Sequence, residues 1–294
     1  MEYNLDEFEA VRKKINKIST ISILVAILAL IIGVALFFLC ESPILLIFSF
    51  FAIFVVIGVN NNRKKKFSNN IKSKIVTSLV KTELGDDAEY DCHGGIDLGK
   101  ILKTRVYQHP DRYHLEDYIR ASYNGVKYEM CDAIFKERHE TRDSKGNKRV
   151  SYITYFSGKV IIIDFKKDLD FLMKIIEGHP NGLQKGNLEK IETEVIDFNK
   201  KFNTYVSDKE KAFYYLTPLF IQKILELEKL YKGTIQYVLD RDCFYIYINN
   251  STDSLEFTTS KKLDEKSIEI IKSQVTIGNA IINEFNFDSS KFNN

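Results

Sequence analysis

The sequence contains few cysteines and lacks the short motifs that mark common catalytic and metal sites. Its four cysteines are scattered through 294 residues, and no CxxC pair is present. These counts argue against a disulfide framework and against a zinc site built on cysteine pairs. The nucleophile motif GxSxG and the zinc-protease motif HExxH are also absent, so no signature supports a hydrolase.

An excess of positive charge is confined to one segment. The chain has 42 basic and 40 acidic residues, but seven basic and no acidic residues lie between Asn60 and Lys81. From Thr82 onward, 31 basic residues face 35 acidic ones. The acidic remainder shows no basic stripe with interleaved aromatic residues, and nucleic acid is therefore not an expected partner.

Two long apolar runs occupy the N-terminal part of the chain. At the helical rise, Ile21–Leu39 covers about 28 Å and Ile44–Val59 about 24 Å, against a bilayer core of about 30 Å. Glu41, Ser42 and Pro43 separate the runs and favour a turn at the membrane surface. We predict a two-helix transmembrane hairpin over residues 19–62, with spans at about 21–39 and 44–59. The alternative is that the second run enters the membrane without crossing it. A cleaved signal peptide is not favoured, because cleavage would need small residues before the cut.

The distribution of lysine and arginine predicts the orientation of this hairpin. Basic residues precede the first run and follow the second, whereas the connecting turn has none. The positive-inside rule then places both ends of the hairpin in the cytoplasm. Near anionic lipid each such charge contributes about 1 kcal/mol. The predicted membrane-surface residues are Arg63, Lys64, Lys65 and Lys66; in the alternative interpretation they only determine topology.

The apolar pattern divides the chain into four parts. Residues 1–18 are predicted to form a cytoplasmic amphipathic helix, with Leu5, Phe8, Val11, Ile15 and Ile18 on its apolar face. Residues 63–84 form a basic juxtamembrane helix that ends at Gly85. Residues 85–294 form the cytoplasmic domain, as one unit or as two halves that meet near 178–187.

This domain is predicted to be α+β, with antiparallel strands packed against helices. A turn at Asn124-Gly125 joins the first two long strands, and the charged segment Glu137–Arg149 is the exposed tip of a long hairpin. Helix starts are predicted at a Ser207–Glu210 capping box and at Thr217-Pro218. The strands are predicted at 118–123, 126–136, 150–165, 188–194, 198–205, 234–239 and 243–248. A short helix is predicted at 97–107, and a last helix from about Asp264 with Ile268, Ile282 and Phe285 among its inward-facing residues.

Five segments occur in a characteristic order after the apolar hairpin. They are YDCHGGID (90–97), RYHLEDYIRASYNGVKYE (112–129), TYFSGKVIIIDF (154–165), DFNKKFNTYVSDKEKAFYYLTPLFIQKIL (197–225) and CFYIYI (243–248). Together they resemble the bacterial domain-of-unknown-function family 3137, over nearly the whole chain. The resemblance implies an inner-membrane protein with a cytoplasmic α+β domain. The resemblance implies no activity, no cofactor and no catalytic residue.

Several weak chemical motifs remain. Gly94–Ile101 matches the phosphate-loop pattern GxxxxGK but has Ile101 where magnesium needs Ser or Thr, and Asp97 would oppose an anion. Cys92, His93, His109 and His114 lack zinc-ligand spacing, although folding could bring some of them together.

Adjacent carboxylates at Glu116 and Asp117 would point to opposite faces of a strand. Tyr245 and Tyr247 alternate with apolar residues, which favours a strand with one partly exposed face; an aromatic ligand face is the alternative.

These observations favour a membrane-anchored cytoplasmic interaction module that binds a protein partner, in addition to its contact with the lipid bilayer. One alternative is a sensor of lipid headgroups or of a small ligand near the basic segment. The other is an enzyme, for which a cleft that gathers His93, His109, His114, Glu116 or Asp117 would be decisive. No catalytic, cofactor-binding or metal-binding residue is predicted.

Overall fold

The structure is a computed structural model that describes residues 5–40, 43–142, 146–252, 255, 257 and 259–292. The chain divides into two compact units, one of Met1–Ser78 with Leu255–Lys272 and the other of Leu79–Ser254 with Ser273–Asn294. The sequence assigns 255–272 to the C-terminal domain, whereas the contacts group this segment with the N-terminal helices.

The first unit contains two long helices, α1 (Leu5–Cys40) and α2 (Pro43–Ile71). A π-helical turn (Lys72–Val76) and α3 (Thr77–Leu84) continue the chain, and Gly85 ends α3 with a left-handed φ of 98°, as predicted. Among the described residues, the segment Leu5–Leu39 is long and apolar enough to cross a membrane. Glu41 and Ser42 of the expected turn lie outside the described residues.

The apolar face predicted for residues 1–18 is only partly covered, with Leu5, Phe8 and Ile15 half-buried. Val11 and Ile18 are 41% and 38% exposed, whereas Glu9 and Ser19 are only 9% and 6% exposed. Glu9 accepts hydrogen bonds from Arg12 (2.7 Å) and from the Leu263 amide (3.2 Å). Polar contacts with the distant segment 259–263 therefore determine which face of α1 is buried.

The second unit is built on one nine-stranded sheet in which every pair of neighbours is antiparallel. The strand order is β1-β2-β3-β4-β9-β8-β5-β7-β6. The loop over 178–187 joins strands of this same sheet. The strands are β1 (Glu89–Asp91), β2 (Arg112–Tyr123), β3 (Val126–Arg142), β4 (Lys148–Asp164), β5 (Leu172–Glu177), β6 (Glu189–Ile191), β7 (Phe202–Val206), β8 (Thr234–Asp240) and β9 (Cys243–Asn249).

Helices and aromatic side chains cover the sheet. Tyr107 packs edge-on against Phe156 and Tyr247 at centroid distances of 5.0 and 5.6 Å. Phe244, whose neighbours along β9 point to the opposite face, packs against Phe220 and Phe285. The remaining helices are α4 (Leu98–Leu102), α5 (Ile196–Lys201), α6 (Lys209–Tyr215), α7 (Pro218–Leu230), α8 (Glu265–Val275) and α9 (Ile277–Glu284).

Two local predictions for the second unit need correction. The strand predicted at 198–205 begins only at Phe202. Asn199 Oδ1 accepts hydrogen bonds from the Thr193 amide and hydroxyl (3.0 Å each), and these bonds stabilise the residues before Phe202 as helix α5. The cap of α6 is Asp208, which accepts from the amides of residues 210 and 211. Ser207 is not available as the cap, since its hydroxyl accepts from the Leu172 amide on β5.

Other local predictions are confirmed. Asn124 and Gly125 both have left-handed φ values, 50° and 79°, in the turn between β2 and β3. Thr217 caps α7 by accepting from the Phe220 amide at 3.3 Å, with Pro218 at the first helical position.

Candidate interaction site

Strands β3 and β4 extend beyond their other neighbours in the sheet. The pairing of β2 with β3 ends at Arg112↔Lys136, and that of β4 with β9 ends at Gly158↔Asn249. The pairing of β3 with β4 continues for six more residue pairs, from Glu137↔Ile153 to Arg142↔Lys148, or about 20 Å at the usual rise. We call these two stretches, Glu137–Arg142 and Lys148–Thr154, the β3–β4 arm. The tip residues 143–145 lie outside the described part of the chain.

Hydrogen bonds hold the base of the arm on the β3 side. The Glu137 carboxylate accepts from Gln108 Nε2 and Asn181 Nδ2 at 2.7 Å each, and it also contacts His139. The bond from Asn181, followed by that from His139, lowers the pKa of Glu137. Asp111 accepts from the Arg138 amide at 2.7 Å, so the backbone edge of β3 is covered as far as this residue.

A side chain closes the sheet on the β4 side. Asn249 Oδ1 accepts from the Ser157 amide at 3.0 Å, and Asn249 Nδ2 donates to the Tyr155 carbonyl at 3.3 Å. The side-chain amide of Asn249 therefore takes the place of the next backbone hydrogen bonds that β9 would form with β4. Beyond it, residues 148–154 form no backbone hydrogen bond with any described residue outside β3 and their own strand.

The arm is basic, although the domain that carries it is acidic. The arm residues 137–142 and 148–154 include four basic and two acidic side chains. Glu140 pairs with Lys148 at 3.0 Å and Arg138 at 2.9 Å, and these hydrogen bonds lower its pKa, that from Lys148 most. Arg142 and Arg149 form no ion pair with the described residues, so their charges remain available to a partner.

Apolar side chains are also exposed on the arm. Val150 and Ile153 are 44% and 49% exposed, and their odd spacing along β4 places them on opposite faces of the ribbon. Arg112 stacks over the Tyr152 ring at 3.6 Å. The combination of an exposed strand edge, free guanidinium groups and apolar side chains is suited to binding an extended polypeptide.

The predicted membrane-surface residues lie together in the C-terminal part of α2. Arg63, Lys65 and Lys66 are exposed and Lys64 is half-buried. None of the four forms an ion pair within the described part of the structure, and their ammonium and guanidinium groups can face a lipid surface.

The phosphate-loop-like segment does not form an anion cradle. Asp97 caps α4, and its Oδ1 accepts from the Lys100 amide at 2.9 Å. The Lys100 ammonium is bound to Glu129 and lies 3.4 Å from Asp164 Oδ1. Both the helix start and the lysine that would bind phosphate are occupied by carboxylates of the chain itself.

The residues considered for an enzyme do not form a substrate cleft. His114 Nε2 lies 3.7 Å from Glu116 Oε1 beside a cavity of about 30 Å³, which has room for about one water molecule. Asp117 sits at a bulge with a φ of 58°, and the Tyr90 hydroxyl donates to it at 2.7 Å. Within the described residues, no three His, Cys, Asp or Glu side chains could hold a metal ion.

The partly exposed aromatic face predicted for β9 is wrong. Tyr245 and Tyr247 are 1% and 0% exposed. The Tyr247 hydroxyl donates to the Ile101 carbonyl at 2.7 Å and lies 2.8 Å from Thr104 Oγ1. Both faces of β9 are therefore covered, and these rings are part of the core.

The sequence indicated the arm only as a charged hairpin tip at Glu137–Arg149. It did not reveal that paired strands continue through this segment. Val150, Tyr152 and Ile153 already placed the start of the second strand at 150, but the charges of residues 137–149 favoured a loop, so the strand residues 137–142 and 148–149 were missed.

Comparisons with known proteins give one family model over part of the chain and one solved structure of low similarity. No curated protein matches the sequence. The crystal structure of the mycobacterial trehalose monomycolate transport factor A, TtfA, is similar to this chain at 8% identity and a TM-score of 0.38, covering 73% of this chain and 96% of that one. A family model described as "Protein of unknown function (DUF3137)" matches residues 154–287. This range includes three of the five segments that carry the resemblance, and it begins after the other two. The resemblance to domain-of-unknown-function family 3137 is thus confirmed over residues 154–287.

Proposed function

We propose that this protein is a membrane-anchored interaction module whose β3–β4 arm binds a protein partner at the bacterial inner membrane. The observation that carries the proposal is the six-pair extension of β3 and β4 past the sheet. A two-stranded ribbon is only marginally stable by itself in water. A ribbon held by specific side-chain contacts at its base, with exposed apolar groups along its length, fits a surface that becomes buried on binding.

The exposed apolar side chains of α1 and α2 support the anchor. Leu24 and Phe38 in α1 are 60% and 77% exposed, and Phe51 and Phe54 in α2 are 64% and 71% exposed. Exposure of this kind is typical of side chains that contact lipid. We infer that both helices span the membrane as a hairpin and that both ends of this hairpin face the cytoplasm, since the basic residues flank the apolar runs on one side.

The arm proposal can be tested by shortening the arm without changing its register. In the variant, residues 140–150 are replaced by Asn-Gly, so that the His139↔Ser151 pair is joined by a two-residue turn. Full-length and shortened proteins are purified from native membranes after cross-linking. We expect one protein to co-purify only with the full-length chain and to bind it again after separate purification. If every co-purified protein binds both forms equally, the proposal is wrong.

The hairpin topology is tested separately by cysteine labelling in a cysteine-free background. Ser42→Cys should react with a membrane-impermeant maleimide from the outer side, whereas Asn62→Cys should react only after the membrane is opened. Labelling of Asn62→Cys in intact cells would refute the orientation and leave the arm experiment unaffected.

A further inference from the structure

The outer edge of β4 is the longest unpaired strand edge on the arm. The Asp111 carboxylate and the side chains that bind Glu137 cover the base of β3. On β4, coverage ends with Asn249 at Tyr155. The backbone of Lys148–Thr154 thus offers seven residues to an added strand.

The charge of the arm determines which strand can be added. Two arms that met edge to edge in parallel would bring together Lys148 and Arg149 of each copy, and like charges disfavour such pairing. An antiparallel pair would place Arg149 of each copy opposite Ile153 of the other and would leave both guanidinium groups without a carboxylate. The acidic side chains of the arm are already engaged, Glu140 by Arg138 and Lys148. An incoming acidic strand would instead neutralise Arg149, and among the described residues of the arm it would find no unpaired carboxylate opposite it.

Apolar contacts on both faces would add to this binding. Val150 and Ile153 project from opposite faces, and each can contact a β-branched side chain of the added strand. Backbone hydrogen bonds would supply affinity that does not depend on sequence, while the arginine and the apolar residues would select the partner.

We propose that the edge of β4 over Lys148–Thr154 binds an extended acidic segment of the partner protein by strand addition. This inference rests on the proposed function and names the chemistry of the partner. The bound segment pairs with β4 in the position that β9 occupies further along the same strand.

The test uses the full chain in lipid nanodiscs and a fluorescent nine-residue peptide in which glutamate alternates with valine or threonine. Binding is measured by fluorescence anisotropy, and protection of Lys148–Thr154 is measured by amide hydrogen exchange. We expect saturable binding that slows exchange in this segment. Two control peptides carry lysine in place of glutamate or N-methyl groups on alternate amides, and both should bind at least about tenfold more weakly.

The matched protein variant is Lys148→Glu with Arg149→Glu, whose folding is checked by its thermal melting curve. We expect it to lose binding of the acidic peptide about tenfold or more and to gain binding of the lysine peptide. Equal binding of the N-methylated peptide would refute strand addition, and equal binding of the lysine peptide would refute the acidic partner. Self-association of the unliganded chain through Lys148–Thr154 would also overturn the inference, because the edge would then accept a second copy.

The two proposals fail in different ways. If shortening the arm abolishes capture of a partner but the acidic peptide does not bind, the strand-addition inference is wrong and the interaction module stands. If shortening the arm leaves all partners bound, the proposed function itself is wrong.

Discussion

Asn60 in α2 donates a hydrogen bond from Nδ2 to Ser22 Oγ in α1, at 3.0 Å. The two residues are 38 positions apart in sequence, and Asn60 is only 4% exposed. A polar pair of this kind at the end of an apolar run fixes the register between two helices, because each group would otherwise lose its partner where water is scarce.

Asn60→Leu should therefore weaken the α1–α2 contact by about 0.5 to 2 kcal/mol. The measurement is unfolding of the chain in mixed micelles, with Asn61→Leu as the matched control, since Asn61 is exposed. A double-mutant cycle with Ser22→Ala isolates the pair. Additive effects of the two substitutions would contradict direct coupling.

The ion pair between Asp132 and Lys159 should be a strong determinant of stability. Its atoms lie 2.8 Å apart and its side chains are 7% and 6% exposed. Lys159→Met leaves a buried carboxylate without this partner and should cost about 3 to 5 kcal/mol in the free energy of unfolding. The exposed pair Arg241–Asp168 is the control, and Arg241→Met should cost at most about 1 kcal/mol. Urea unfolding measures both free energies. Similar losses of stability for the two pairs would show that burial does not control the effect.

Lys174 should make the free energy of unfolding depend on pH in the alkaline range. Burial, with a further contribution from Arg105, lowers the pKa of Lys174 to about 8, although its ammonium donates to the Gln184 carbonyl at 2.7 Å. The folded state therefore holds fewer protons than the unfolded state above pH 8, and this residue makes the free energy of unfolding rise with pH until the lysine of the unfolded chain is also neutral.

The variant Lys174→Met removes this dependence. The difference in unfolding free energy between wild type and variant should shift in favour of the wild type above pH 8, by up to about 1.4 kcal/mol per pH unit. Urea unfolding at pH 7 to 10.5 measures the difference. Parallel pH curves for the two proteins would contradict the expected effect.

Glu9 should hold the segment near Thr259 in place. Glu9→Ala removes the acceptor for the Leu263 amide and the partner of Arg12, whose Nη1 donates to the Thr259 carbonyl at 2.8 Å. We expect amide exchange at residues 259–263 to accelerate about tenfold, which corresponds to about 1.4 kcal/mol. Lys14→Ala, an exposed position on the same helix, is the control. Unchanged exchange in Glu9→Ala would show that other contacts hold the segment.

Features determined by neighbouring residues could be predicted from the sequence. The turn at Asn124-Gly125 requires left-handed backbone angles, which these two residue types accept readily. The start of α7 depends on Thr217 and Pro218 alone. The antiparallel strands of the core followed from long runs of β-branched and aromatic residues.

Features that depend on distant contacts could not be predicted in this way. The apolar spacing of residues 5–18 correctly indicated a helix but not the burial of Glu9, because Glu9 and Arg12 contact Leu263 and Thr259, which are distant in sequence. The cap of α6 moved to Asp208 since Ser207 is bound to β5. The exposed strand edge of the arm could not be predicted for the same reason, because it depends on where the pairing of β2 with β3 and of β9 with β4 ends.

The contact between Arg12 and Thr259 has a consequence for biosynthesis. The two residues are 247 positions apart, and a ribosome adds about 5 to 20 residues per second. The first helix therefore leaves the ribosome about 12 to 50 s before the segment that covers its polar face. During that interval Glu9 and Arg12 lack their contacts with Leu263 and Thr259, and Asn16 lacks its hydrogen bond to the Thr259 carbonyl (2.6 Å), so completion of the first unit is one of the last events in the synthesis of the chain.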